Sequence, residues 1–331
     1  MMFVPKIRLQ SSFTAAVLAF AACSGGAGAQ NYPDKTVRII AGTSPGGTLD
    51  LLSRISAQKL TDSLGRPFIV ENRPGAAGTI AAEYVAKSPN DGYMLMMGSA
   101  SILGISPALY PKLGYDPVKD FAPIGMAANA SFILVAYPGL PVKSVKELIA
   151  LAKAKPGQLN YGSAGNGSFT HLAMELLKSM AGVDIQHVPY TGTGGAAMAD
   201  LLSGKTQMMM SSVATQLPLV QSGKLRGLAV TGARRTAIMP DLSTMAEAGV
   251  AGYDADSWFG IVAPAGTPRN IVTILNAALV KGLNNAETRE KLLAQGLEPL
   301  EYTPDQFARL IRDEVPKWAK VVKISGATAS D

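Results

Sequence analysis

The stretch YGSAGNGSFTHL, residues 161–172, sets how the rest of the chain is read. An apolar strand candidate runs into a cluster of Gly, Ser and Ala, and a helical pattern opens at Phe169. Ser168 is placed to cap that helix, because its hydroxyl can accept a bond from an early helical N–H. Leu172, Leu176, Leu177 and Met180 follow at helical spacing, and Gly182 is a C-terminal stop. Glycines ahead of a helix let the backbone turn unpaired N–H groups toward one point, where the positive end of the helix dipole favours a carboxylate or phosphate. Three other stretches repeat the device: PGGTLD (45–50), PGAAGT (74–79) and TGTGG (191–195). The repetition points to a site for a small anion.

Outward from this loop, strand candidates lie at 36–41, 68–70, 93–97, 159–161, 185–190, 207–211, 225–231 and 257–263, with one or two more in 123–137. Helical patterns run to about Leu64, Lys87, Gly204 and Val322. Another opens on a Ser144/Glu147 capping box and stops at Pro156-Gly157. Thr267-Pro268 and Thr303-Pro304 each read as a Thr cap with Pro in the first turn. Strands alternating with helices predict an α/β chain with mostly parallel sheets. In such sheets ligands lie outside the carboxyl ends of the strands, where every glycine loop falls. With two domains, the loops face each other across a cleft. There is no sequence repeat and no low-complexity linker.

The 331 residues, 47% hydrophobic and 16% charged, suffice for two domains of ordinary size. Residues 1–29 read as a secretory signal peptide. Lys6 and Arg8 precede an apolar core at 13–22, too short for a permanent bilayer span, and Ala27-Gly28-Ala29 forms the cleavage site. Phe20-Ala21-Ala22-Cys23 resembles a lipoprotein site with Phe a poor fit at its first position, so a lipid anchor at Cys23 is the alternative. Cleavage after Ala29 leaves no cysteine and hence no disulfide. The net charge of +6 falls to +4 with Lys6 and Arg8 removed, since no acid precedes Asp34. No block of like charge suggests nucleic acid, and nothing demands an obligate interface, so a monomer is expected.

Enzyme and cofactor motifs fail on inspection. Gly165-Asn166-Gly167 lacks the Gly or Ala a dinucleotide fingerprint needs at Thr170, and Gly204-Lys205-Thr206 has Ala199 where a phosphate loop begins with Gly. Ser163 lacks the glycine of a nucleophile elbow at Tyr161, no acid is placed to orient His171, and Ser56–Lys59 has no companion motifs. Two histidines leave little for zinc. The chain therefore reads as a non-enzyme without cofactor or metal; a secreted hydrolase using Ser163 or Ser168 is the remaining catalytic alternative. Asp50 reads as an acid favouring its own helix start, Arg73 as a turn stabiliser and 208–210 as core, while Tyr190, Ser211 and Ser212 are candidates for ligand contact.

PGGTLDLLSR, VENRPGAAGT, LNYGSAGNGSFTHLAMELLKSMAG, VPYTGTGGAAMADLLSGK, LRGLAVTGARR and SWFGIVAPAGTP occur in this order from about Tyr32 onward. In that order they resemble the Bug family of periplasmic solute-binding proteins, receptors of tripartite tricarboxylate transporters. The resemblance implies a two-domain flytrap, with residues 30–131 plus 255–331 forming one domain and 132–254 the other. It implies a periplasmic receptor that closes on a small organic carboxylate and delivers it to membrane permease subunits; a sensor subunit for a signalling partner is the alternative. Carried over, one wall of the pocket is Gly46, Gly47, Thr48, Ser99 and Ser101. The other is Ser163, Ala164, Gly165, Ser168 and Thr170, with Tyr190 and Ser211. Backbone N–H groups of the 45–48 and 163–168 loops are expected to seat the carboxylate. Many members carry T-S-G-T-H-A after the third strand and an Asp near Ser211, where this chain has SASIL (99–103) and Ser-Ser. The missing acid argues against an amino-acid ligand. Ile102 and Leu103 suggest an apolar end to the pocket, favouring an aromatic or longer-chain acid over a short di- or tricarboxylate.

Overall fold

The computed structural model describes residues 1–2 and 32–329. The expected export signal, with Cys23 and the 27–29 cleavage site, lies outside them. In chain order come β1 (Val37–Ala41), α1 (Thr48–Leu64), β2 (Phe68–Asn72), α2 (Thr79–Ala86), β3 (Met94–Ser99), α3 (Ser106–Leu109), β4 (Phe121–Ala130) and β5 (Phe132–Ala136). Then follow α4 (Val145–Ala154), β6 (Asn160–Ser163), α5 (Phe169–Ala181), β7 (Gln186–Pro189), α6 (Gly195–Ser203), β8 (Met208–Ser212), α7 (Val213–Gln221) and β9 (Arg226–Val230). The chain ends with β10 (Ser257–Pro264), α8 (Arg269–Leu283), α9 (Ala286–Leu293), β11 (Leu297–Glu298) and α10 (Pro304–Ser325).

These strands form two sheets, ordered β11-β4-β10-β3-β1-β2 and β7-β6-β8-β5-β9. β1 pairs parallel with β2 and β3, and β6 parallel with β7 and β8. The sheets are nonetheless mixed rather than mostly parallel, because β10 runs antiparallel to β3 and β4, β11 to β4, and β5 to β8 and β9. The reason lies in the connections. β4 passes through Ser131 alone into β5 of the other sheet, and the chain returns through 231–256 into β10. A strand arriving from a neighbouring sheet is not delivered by a crossover helix, the connection that makes successive strands parallel, so it is free to pair antiparallel.

Period-two alternation buries both faces of each sheet, as expected of parallel cores covered by helices. Ile39, Leu95, Met97 and Ile261 pack on one side of the first sheet, while Ile40, Met96, Val262 and Phe307 pack on the other. In the second sheet Leu134, Tyr161, Met208 and Met210 lie under α5, and Ile133, Val135 and Met209 pack with Ala197 and Leu201 of α6 and Val213 of α7. Two helix starts differ from expectation. The N-cap of α8 is Pro268, because the Thr267 hydroxyl donates to Pro264 O (2.7 Å) instead of capping. At α4 Ser144 accepts the Glu147 N–H, but the Glu147 carboxylate accepts from Lys143 N–H, so only half of the capping box forms.

α10 spans both halves of the molecule. Phe307 and Ile311 pack on the first sheet; beyond Pro316, Trp318, Val321 and Val322 enter the core of the second. Beside it the two crossing segments meet at Asp256, whose carboxylate accepts from Asn129 Nδ2 and from the Thr231 hydroxyl (3.3 Å). Burial, with Asp254 nearby, pushes the Asp256 carboxyl up to about 7 against those two bonds. Among the described residues no helix is long and apolar enough to cross a membrane.

Candidate functional site

The candidate residues collect in two rows, one at the carboxyl ends of the parallel strands in each sheet. After β1 comes the 42–47 loop and Ser99 ends β3; in the second sheet the 163–168 loop continues from the end of β6, Tyr190 follows β7 and Ser211 is next to last in β8.

The first row is built for a free helix terminus. The N-cap of α1 is Gly47, which has no side chain to satisfy the first turn, and the N–H groups of Gly47, Thr48 and Leu49 have no partner among the described residues. Gly46 to Thr48 are exposed. Gly46 holds φ +97°, a conformation that glycine alone adopts without strain. Asp50 fixes the loop from behind, accepting from Gly46 N–H (3.0 Å), Arg54 Nε (3.0 Å) and Asn72 Nδ2 (2.8 Å). Asn72 Nδ2 also donates to Thr43 O (3.1 Å). The Arg54 bond, helped by Gly46 and Asn72 and opposed by burial, holds the Asp50 carboxyl at about 2. Asp50→Ala is expected to cost about 2–3 kcal/mol, since three donors lose one buried acceptor. A depressed carboxyl stabilises above its unfolded pKa near 4 and loses that contribution as pH falls toward about 2. Urea unfolding of both proteins should therefore converge between about pH 5 and pH 2; a gap independent of pH overturns the charge assignment.

Arg73 is held by Glu71 (2.7 Å) and lies 3.6 Å over the Tyr84 ring, which leaves it a turn stabiliser. Ser99 caps a π-helical turn, 100–105, accepting the Ile102 N–H (3.3 Å). Ser101 O accepts from the Ser106 hydroxyl (3.0 Å). The sequence reading missed this turn, and its side chains overturn one expectation. Ile102 and Leu103 are 2% and 0% exposed and sit in the core on the glycines of other segments, Gly78 and Gly98. They do not line the cleft, and the preference for an aromatic or long-chain acid loses its support.

The second row divides into two kinds of loop. In 163–168 four backbone donors are already used: Ala164 N–H bonds to Thr170 Oγ1 (3.0 Å), Gly165 N–H to Ser163 Oγ (3.1 Å), Gly167 N–H to His171 Nδ1 (3.1 Å) and Ser168 N–H to Gly165 O (3.2 Å). Ser168 caps α5 as expected, accepting the His171 N–H (3.2 Å) and donating to Gly165 O (2.7 Å). This loop is a closed hydrogen-bonded unit, not the free donor set that the glycines suggested. The loop ahead of α6 is the free one. Its N-cap is Gly194, and the N–H groups of Gly195 and Ala196 have no partner among the described residues. A methyl group built on Gly192, Gly194 or Gly195 meets nothing within 4 Å.

Tyr190 lies over Gly162 and gives its hydroxyl to Asp200 (2.8 Å), and burial, that bond and the Asp200 charge raise the phenol to about 12. Ser211 is 1% exposed and accepts from Gln216 Nε2 (3.1 Å). Ser163 shares a 2.6 Å hydrogen bond with His187 Nε2, yet it is fully buried and no carboxylate among the described residues bonds to that ring. The acid nearby, Glu175, accepts from Tyr161 OH and Lys178 instead, both at 2.6 Å. The pair lacks the exposed nucleophile and oriented base that acyl transfer requires.

The family model "Tripartite tricarboxylate transporter family receptor" matches residues 52–327. The chain belongs to that family. Among curated proteins it is 37% identical to Protein BugT of Bordetella pertussis over 300 residues, covering 90% of this chain and 92% of BugT. Among solved structures it is 39% identical to R. palustris Rpa4515 with adipate, with a TM-score of 0.72, covering 90% of this chain and 99% of that one. It is 26% identical to a TctC solute-binding protein from Polaromonas with no ligand, with a TM-score of 0.80, covering 88% and 99%. The fold is therefore that of a two-domain periplasmic binding protein, and the family is one of receptors. Identity alone would order the two superpositions the other way.

Proposed function

We propose that the receptor captures a small organic dicarboxylate between the two rows of strand ends. The observation that carries this reading is a pair of bare glycine-capped helix starts, Gly47 of α1 and Gly194 of α6, one on each wall. Each offers two or three unpaired N–H groups with the positive end of a helix dipole behind them, which suits one carboxylate apiece. The other candidate residues support these starts: Ser99 and Ser101 shape the first wall, and Ser163, Ala164, Gly165, Ser168, Thr170, Tyr190 and Ser211 shape the second. The adipate in the related Rpa4515 structure is an acid of this class.

We read this structure as the open form. The higher TM-score to the ligand-free Polaromonas protein than to the adipate-bound relative fits that reading, because a rigid rotation between domains lowers a whole-chain superposition without altering either domain. We take the domains as 30–131 with 255–331, and 132–254, moving about the crossings at Ser131 and Asp256, with α10 reaching across. Closure would bring the helix starts together and exclude bulk water, strengthening each bond to the acid. The closed form would then dock on the membrane permease of a tripartite transporter and release its cargo there without chemical change.

Thermal unfolding against a panel of acids tests the reading. Adipate, malate, a tricarboxylate, an aromatic monocarboxylate, an amino acid and a neutral diol make a sufficient set. An acid at about 100 times its dissociation constant adds roughly 2.7 kcal/mol, a readily visible shift. Shifts confined to dicarboxylates are expected; a shift with the diol, or none with any acid after unfolding and refolding to strip a carried ligand, overturns the reading.

A further inference from the structure

The chain has two histidines, 16 residues apart in sequence, and both lie beneath the 163–168 loop. Their rings stack at 4.0 Å with an interplanar angle of 11°, and Tyr161 stacks on His187 at 5.0 Å. His171 is 3% exposed. Its Nδ1 meets the Gly167 N–H at 3.1 Å, and a backbone N–H can only donate, so that ring nitrogen carries no proton. His187 Nε2 meets Ser163 Oγ at 2.6 Å, and the same oxygen accepts the Gly165 N–H. Thus the two rings reach the loop at both ends, Ser163 and Gly167.

We infer that His171 is a positioning residue for ligand capture: its unprotonated Nδ1, supported by the stacked His187, holds the 163–168 loop in the closed hydrogen-bonded shape that forms one wall of the cleft. The assignment rests on the receptor reading above for what the wall is for, but not for the geometry itself. Gly167 holds φ +71° and Gly165 φ +117°, so the loop sits in backbone regions that a chain without the anchor leaves readily. At the same loop Tyr190 N–H donates to Ser163 O (3.1 Å), which joins the anchored segment to the stretch leading into the Gly194 helix start. Loss of the His171 acceptor frees the Gly167 N–H, lets the loop sample other conformations, and removes the fixed platform against which Tyr190 and the α6 loop are set.

The anchor is sensitive to acid in one direction. The groups facing the ring are His187 from β7, Tyr161 from β6, and Glu175 and Lys178 from α5 itself. Burial and the neighbouring His187, outweighing Glu175, keep His171 down at about 4. Protonation of Nδ1 replaces an acceptor with a second donor aimed at the Gly167 N–H, so the loop is anchored at neutral pH and released as pH falls toward that value. His187 lacks this sensitivity, because its nitrogen can either accept from or donate to the Ser163 hydroxyl.

The experiment compares His171→Phe, which keeps a stacked ring without an acceptor, with His171→Asn, whose side-chain oxygen can occupy the Nδ1 position and does not titrate. Amide exchange at Gly165 and Gly167 in the ligand-free protein, read by NMR at neutral pH, is expected to quicken about tenfold in the Phe variant and to stay near wild type in the Asn variant. Adipate binding measured by calorimetry is expected to weaken about tenfold in the Phe variant alone. Below about pH 5 wild type is expected to lose affinity relative to the Asn variant, a ratio from which the titration of adipate itself cancels. Equal exchange at Gly167 in wild type and the Phe variant overturns the anchor, as does an Asn variant that behaves like Phe in both exchange and affinity. If adipate fails to bind even wild type, the receptor reading for that acid fails, while the exchange arm still decides the anchor.

Discussion

Trp318→Ala is expected to lower the unfolding free energy by about 3–5 kcal/mol, the range for removing a fully buried aromatic side chain. Trp318 is 0% exposed although it belongs to a helix whose first half packs on the other sheet. Its ring meets Phe169 at 5.7 Å near an edge-to-face angle of 63°. It also lies against Gly104 of the π-helical turn, where an added methyl would come within 3.2 Å of the indole. Its N–H donates to Glu314 Oε2 (2.6 Å), an oxygen that accepts from Trp258 of β10 as well (3.3 Å). One carboxylate therefore ties an indole of the first sheet to an indole seated in the core of the second. Truncation loses the packing and leaves a cavity where three segments meet, and those segments cannot collapse together because each is fixed by its own sheet. Urea unfolding checks the value, with Lys320→Ala, an exposed position on the same helix, as the control expected within about 0.5 kcal/mol of wild type. A loss below about 1.5 kcal/mol would mean that the C-terminal half of α10 is not clamped in the second core.

The features that the sequence disclosed are those written locally. The strands read at 36–41, 159–161 and 257–263, the Ser168 and Thr303 caps and the helix-ending glycines at 65, 182 and 204 all depend on a few adjacent residues, and the structure has them within one or two residues of those positions. What stayed hidden depends on which side chain meets which backbone group, a pairing that spacing does not state. SASIL reads as an apolar pocket end because nothing near it says that Gly78, in an earlier segment, leaves room for Ile102 in the core. The 163–168 loop reads as a set of free donors because its glycines are visible and its acceptors are not: Thr170 and His171 are helix residues whose side chains fold back onto the loop. α7 was missed because Pro218 interrupts its apolar pattern, although the helix continues to Gln221. The direction of the outer strands was equally unreadable, since β4 and β5 differ from one bent strand only at Ser131. Family motifs named the fold despite these gaps, but they placed donors on both walls alike. The geometry distinguishes a helix start that is bare from one that is already capped.

Thr48→Pro uses that distinction and is expected to weaken dicarboxylate binding about 10- to 100-fold, as loss of one charge-assisted hydrogen bond of about 1.5–3 kcal/mol requires. Thr48 is the first residue of α1, where the N–H has no helical partner to lose and proline is favoured. The residue before a proline must be extended, and Gly47 already holds φ −84° and ψ 171°. The exposed Thr48 side chain gives up no packing. Melting of the ligand-free variant should therefore stay at or slightly above that of wild type, so any loss of affinity belongs to the missing donor rather than to misfolding. Thr48→Ala, which keeps the N–H and removes only the hydroxyl, separates the two groups: it is expected to bind within about threefold of wild type if the backbone carries the contact. Equal losses in both variants would move the contact to the hydroxyl, and no loss in either would take the carboxylate away from α1. Ser168→Pro, which the sequence recommends just as strongly, makes the opposite control. There the N–H is already bonded to Gly165 O and the side chain caps α5, so that variant is expected to lose stability first and affinity only as a consequence. Calorimetric titration of all three proteins with the acid that shifts wild-type melting most decides whether the bare start of α1 is where the ligand is held.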